Sequence, residues 1–294
     1  VEPLTLAYSP CPNDTYIFHA WAHGLLPDAP PVREVLEDID TLNAMALRGE
    51  PDVVKVSFHA FAHLRDRYAL LHAGGALGRG CGPLIVVRPD SPLRLTNGSG
   101  PARLLAGCRV AIPGTLTTAA MLLRLYAPTV GELVVMPFDT ILAAVERREV
   151  DAGLIIHESR FTYRQRGLRR LADLGEWWER STGFPIPLGG IVVRRDLGIP
   201  IAGRVDRAVR HSLELARDDP EASNAYIRRH AQEMDPGVCR EHIALYVNDF
   251  SLDYGKEGEA AIRHLLALAE EAGTAPGLME SPLFWDDQLG TIRG

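Results

Sequence analysis

The sequence predicts an α/β protein made of two similar lobes, and three observations predict it. Short apolar runs bounded by polar residues recur along the chain, the pattern of strands buried in a largely parallel sheet. Two segments then repeat without gaps at an offset of 99: Asp40, Thr41, Ala44, Arg48, Glu50 and Asp52 meet Asp139, Thr140, Ala143, Arg147, Glu149 and Asp151. Six identities at one offset point to a second copy of the same helix–strand unit. Finally, residues 88–105 and Phe184–Gly190 are rich in proline, glycine or serine, as expected where the chain crosses between lobes and hinges. The expected partition is residues 1–90 with 194–294 for lobe one, and 91–193 for lobe two.

At 294 residues the chain is long enough for two domains with a sizeable core. A net charge of −7 without a basic block gives no footprint for nucleic acid. No apolar run approaches the ~20 residues of a membrane span, so no membrane partner is expected. Cys11, Cys81, Cys108 and Cys239 are scattered, without paired spacing, which reads as free thiols in a cytoplasmic protein. No secretory signal is recognisable at the N-terminus.

In chain order, Leu4–Tyr8 is the first strand. The Ser-Pro-Cys-Pro-Asn-Asp-Thr run that follows marks a turn and a helix start. Its helix carries Tyr16, Ile17, Phe18 and Trp21. Val32–Leu36 is a strand, Asp40 is placed as the cap of the next helix, and Val53–Val56 forms a strand ending at Ser57. Strands at Ala69–His72 and Pro83–Val87 flank a glycine-rich stretch, Gly74–Gly82. With strands on both sides, that stretch reads as a connecting loop and not as a dinucleotide fingerprint. Arg88–Leu105 reads as a linker.

The pattern then restarts. Cys108–Ile112 is a strand, Thr117-Thr118 begins a helix, Leu133–Met136 is a strand, and Asp139 is placed as the cap of the following helix. Asp151 opens an apolar strand that is expected to end on His157. A short strand after Leu168, a helix with Trp177 and Trp178, and the return strand Ile191–Val193 follow. Residues 200–272 are helical by pattern, and Phe284 and Trp285 belong to a packed arm.

Candidate chemistry gathers at the carboxyl ends of these strands, where open α/β sheets place ligands. Ser9, Asn13 and Asp14 follow the first strand; Lys55, Val56 and Ser57 end the third; Thr117 and Thr118 follow the strand that opens lobe two; His157 ends its partner. Hydroxyls, an amide and helix N-termini together suit a carboxylate or another anionic oxygen. Singly, Ser57, Thr117, Asn13 and Asp14 also read as helix caps. Lys55, one of only two lysines, stands out inside an apolar run but equally suits a snorkelling side chain. His157 has the two readings of a neutral proton acceptor at a helix start or a turn-capping, packed residue. In the repeat register the strand ending at Ser57 matches the strand ending at His157, and the two ends would face each other across a cleft. His19 with His23, and His59 with His63, lie four apart among aromatic neighbours and read as structural. No Ser/His/Asp triad, carboxylate pair or metal-ligand spacing is evident.

Two lobes, one or two crossings and a polar cleft correspond to the type II periplasmic-binding-protein architecture. Ser9–His19, Asp52–Ser57, Pro113–Thr118 and Gly153–Phe161 moreover resemble the 1,4-dihydroxy-6-naphthoate synthases of the futalosine route to menaquinone. That resemblance spans both lobes and implies a lyase acting without a cofactor on a small-molecule carboxylate, cyclic dehypoxanthine futalosine. It further implies that His157 is the histidine base, and that Lys55–Ser57 and Thr117-Thr118 contact substrate. Two other readings share the fold: a solute-binding receptor of an uptake system, and an enzyme like chorismate dehydratase. Fold alone does not separate the three.

Overall fold

The computed structural model describes residues 2–95, 100–231, 235–277 and 282–287. It forms two compact units, Val1–Gly78 with Pro187–Gly294, and Arg79–Ile186. The strands in chain order are β1 (Leu4–Tyr8), β2 (Val32–Leu36), β3 (Val53–Ser57), β4 (Tyr68–Leu70), β5 (Ala76–Gly78), β6 (Leu84–Val87), β7 (Val110–Ile112), β8 (Leu133–Val135), β9 (Ala152–Ile155), β10 (Arg169–Asp173) and β11 (Ile186–Arg194).

The first unit's sheet runs β2-β1-β3-β11-β4, with β5 on β11; the second runs β10-β6-β9-β7-β8. Both are built to one plan. In the first, β1 lies parallel to β2 and β3, and β11 pairs antiparallel with β3. In the second, β7 lies parallel to β8 and β9, and β6 pairs antiparallel with β9. Each crossing strand thus joins the sheet of the unit it enters, because its backbone groups need ladder partners. The partition therefore falls at residues 78 and 186, earlier than the expected 90 and 193.

The repeat persists down to single bonds. Thr5 N–H donates to Asp52 Oδ2 at 2.8 Å, and Arg109 N–H donates to Asp151 Oδ2, also at 2.8 Å. Arg48 pairs with Glu50 as Arg147 pairs with Glu149. Gly49 (φ +74) and Arg148 (φ +63), which the offset equates, both take the left-handed conformation past their helices.

Several boundaries differ from the sequence reading. The first-repeat helix starts at Ile39, and Asp38, not Asp40, is its cap, accepting from the N–H groups of Asp40 and Thr41 at 2.9 and 3.0 Å. In the second repeat Asp139 lies within a 3₁₀ turn, Phe138–Thr140, and Thr140 holds the cap position of the following helix without a side-chain cap bond. β9 ends at Ile155, so His157 lies two residues beyond the strand. The expected linker contains a short helix, Pro101–Leu105; Thr96–Ser99 lie outside the described residues.

In the first unit the Pro12–Ala22 helix is buried on nearly every side and packs on the Ile199–Asp218 helix. There Ser212 Oγ donates to Ile17 O at 2.6 Å and accepts from Trp21 N–H at 3.2 Å. Tyr8, Ile17, Trp21, Val205, Val209 and Leu213 share that core. The second unit has its own, around Val86, Ala111, Ile141, Val145 and Ile155. The arm is seated as expected: Phe284 is fully buried and bridges to Leu70. Among the described residues no helix is long and apolar enough to cross a membrane.

Candidate active site

In the first unit the carboxyl ends of β1 and β3 are neighbours in a parallel ladder, so the Ser9–Asp14 turn and Lys55–Ser57 come to one edge. Asp14 is the hub. Its Oδ1 takes the Lys55 ammonium at 2.7 Å and the Asn13 amide N–H at 2.9 Å; its Oδ2 takes the Ser9 hydroxyl at 2.7 Å. Asn13 and Asp14 therefore do not cap: the cap position is Cys11, which makes no side-chain cap bond, and Pro12 opens the helix. Because the carboxylate only accepts, Asn13 must turn its N–H toward it and its Oδ1 toward His242 Nε2, 2.9 Å away. His242 Nε2 consequently carries a proton.

Lys55 is 5 % exposed, and Asp14 is the one hydrogen-bond partner of its ammonium among the described residues. An ammonium has three donors, so two remain to be offered. Lys55 and Ser57 share one face of β3, since side chains alternate along a strand. Val56 points to the other face and offers only its backbone, in register with Gly190. Gly189 lies opposite Ser57, and a Cβ there would come within 2.8 Å of Val56 O and 3.4 Å of Lys55 Cε. Glycine keeps that face uncrowded.

Ser57 occupies the cap position of the Phe58–Ala62 helix without making a cap bond. Asn43 holds it instead, donating to Ser57 Oγ at 3.2 Å and accepting from Ser57 N–H at 3.0 Å. With Oγ engaged as an acceptor, the hydroxyl proton is free to be given. The sequence reading passed over Asn43, yet a signal was present: the repeat equates it with apolar Leu142. We expect Asn43→Leu to strand the buried Ser57 N–H at a cost of about 1–3 kcal/mol, measured by urea unfolding. An unchanged midpoint would show the pair to be energetically idle.

In the second unit the carboxyl ends of β7 and β9 are likewise parallel neighbours. Thr117 is a working cap of the Thr118–Tyr126 helix: its Oγ1 accepts from Ala120 N–H at 3.2 Å and donates to Gly114 O at 2.8 Å. Thr118, also buried, occupies the first turn. His157 is partly buried, with a left-handed backbone (φ +52) and its ring edge-on to Phe138 at 5.0 Å between centroids. A positive φ on a residue with a β-carbon costs energy and clusters at functional positions. By the offset of 99, Ser57 corresponds to Ile156, so His157 stands one residue past the expected equivalence.

Two of the paired histidines bond to backbone carbonyls. His23 Nδ1 bonds to His19 O at 2.8 Å, and His59 Nε2 to Thr274 O at 3.0 Å. Burial, and then the neighbouring His23, hold the His19 imidazole below the ordinary histidine pKa.

Comparison with known proteins gives these sites a context. A family model described as menaquinone biosynthesis matches residues 4–271. A 1,4-dihydroxy-6-naphthoate synthase of Streptomyces coelicolor is 52% identical over 283 residues, covering 94% of this chain and 96% of the relative. One from Thermus thermophilus is 50% identical over 275 residues, with 94% and 97% covered. A solved structure of an Archaeoglobus fulgidus protein superposes with TM-score 0.84 at 35% identity, covering 92% of this chain and 98% of that one. The aliphatic sulphonate binding protein of Escherichia coli shares the fold alone, with TM-score 0.67 at 15% identity over 97% of this chain and 92% of its own. The two-lobed architecture is that of periplasmic binding proteins. By family model and by identity along nearly its whole length, the chain belongs to the 1,4-dihydroxy-6-naphthoate synthase family of menaquinone biosynthesis.

Proposed function

We propose that the protein is a carbon–carbon lyase of the cytoplasm that converts cyclic dehypoxanthine futalosine to 1,4-dihydroxy-6-naphthoate and a three-carbon sugar fragment. The observation that supports it most is the buried Lys55 ammonium, with donors to spare, beside the Ser57 hydroxyl on one strand face, in a chain half identical to two synthases of that name.

In this reading Lys55 and Ser57 donate to an anionic oxygen of the substrate, and Ser9, Asn13 and Asp14 hold the ammonium in place. The Val56 backbone, Thr118 and the start of the helix that Thr117 caps supply further polar contacts. His157, as general base, takes the proton whose loss lets the ring and C–C bonds break toward an aromatic product. Aromatisation supplies much of the driving force, so one base and a few oxyanion donors suffice.

Ser57→Ala is expected to weaken transition-state binding by about 1–3 kcal/mol, read as kcat/KM. Wild-type kinetics in that variant would remove the hydroxyl from the substrate's contacts. The reading as a whole is tested by offering the purified protein cyclic dehypoxanthine futalosine and chorismate in parallel. Naphthoate should appear from the first while chorismate is recovered intact. Conversion of chorismate, or tight binding without turnover of either compound, would replace the reading with one of its alternatives.

A further inference from the structure

His157 keeps a left-handed backbone although it is not a glycine and, unlike Arg148, does not follow directly on the cap of a preceding helix. Such a conformation persists only where the surroundings over-determine it. The turn that begins at His157 is closed by Arg160 N–H to His157 O at 3.2 Å and Phe161 N–H to Glu158 O at 2.9 Å. The side chain of that same Arg160 then leaves the turn and is spent on its neighbours. Nη2 donates to Gly80 O at 2.8 Å and to Asp173 Oδ2 at 2.9 Å, and Nη1 donates to Gly82 O.

These anchors are themselves fixed. Asp173 is buried and caps the Leu174–Thr182 helix, accepting from the N–H groups of Gly175 and Glu176 at 2.8 and 3.1 Å. Gly82 is packed so closely on Gly175 that a Cβ would lie 2.3 Å from it. Leu84, two residues past Gly82, pairs with both Ile155 of β9 and Asp173 of β10. One planar guanidinium therefore ties the turn of His157 to the segment that leads into β6, the antiparallel partner of β9, and to the end of β10, using the fork geometry that lysine lacks.

We propose that Arg160 is a positioning residue: its clamp on Gly80, Gly82 and Asp173 holds the His157 imidazole in the orientation from which it works. The positional claim stands on geometry, and only its effect on rate rests on the reading of His157 as base. The experiment uses protein carrying histidine labelled with ¹³C and ¹⁵N in the ring, the His157 signal being assigned by its loss in His157→Asn. In the wild type that signal should be single and shifted by the Phe138 ring. Arg160→Gln should move or split it and lower kcat about 10- to 100-fold with KM little changed, the usual scale for a slightly misplaced group. Added guanidinium should restore both in Arg160→Ala, and Arg160→Lys should restore them only in part.

Asp173→Asn, which keeps a capping side chain, should move the same signal, and it carries the test if Arg160→Gln does not fold. An unmoved His157 signal in a folded clamp variant overturns the proposal. A moved signal with wild-type turnover leaves the clamp standing and removes His157 from the chemistry.

Discussion

His157→Asn is expected to slow turnover of cyclic dehypoxanthine futalosine by about 10²–10⁴-fold, the usual worth of a positioned general base. Asparagine keeps a hydrogen-bonding face and tolerates the left-handed backbone better than most residues, so the φ of +52 gives no reason for the variant to misfold. Substrate affinity should change far less, because the proposed contacts of Lys55, Ser57 and Thr118 stay in place. The loss should therefore appear in kcat. A folded variant with wild-type kcat would end the case for His157, and a loss confined to KM would make it a binding residue.

Lys55→Met should produce the largest loss of stability. The substitution keeps most of the apolar stem but removes the partner of Asp14, whose side chain is 2 % exposed. Breaking a buried pair from one side typically costs about 3–5 kcal/mol, since the remaining charge is left uncompensated. Adding Asp14→Asn removes that charge and should recover much of the loss. If Lys55 binds substrate as proposed, substrate binding should not recover, because the ammonium is still missing. This separates the two roles of Lys55. If the double variant regains affinity along with stability, Lys55 serves only to neutralise Asp14.

Local signals made most of the fold legible in the sequence. β1 and β2 match their predicted limits because their runs are bounded by turn residues. The repeat at offset 99 foretold matching sheets, and the two Asp-to-backbone bonds at Asp52 and Asp151 show why those acids recur. Illegible were the features set by tertiary contacts. Asp38 outcompetes Asp40 as a cap because its helix begins earlier, and neither acid's identity reveals that. Asn13 and Asp14 resemble caps in sequence; only the approach of β3 turns Asp14 toward Lys55. His242 lies 229 residues from the Asn13 it contacts, beyond any local pattern. The left-handed turn at His157 left no trace either, since histidine is not the residue that such a backbone usually demands.

The most direct measurement is the single-turnover rate of naphthoate formation, followed from about pH 5 to pH 9 for wild type and His157→Asn. A base must be unprotonated to act, so the wild-type rate should fall on acidification as the imidazole takes up its proton. The variant should be slow throughout and lack that limb. A wild-type rate without an acid limb, or the same limb in both proteins, would contradict the assignment of His157 as the base.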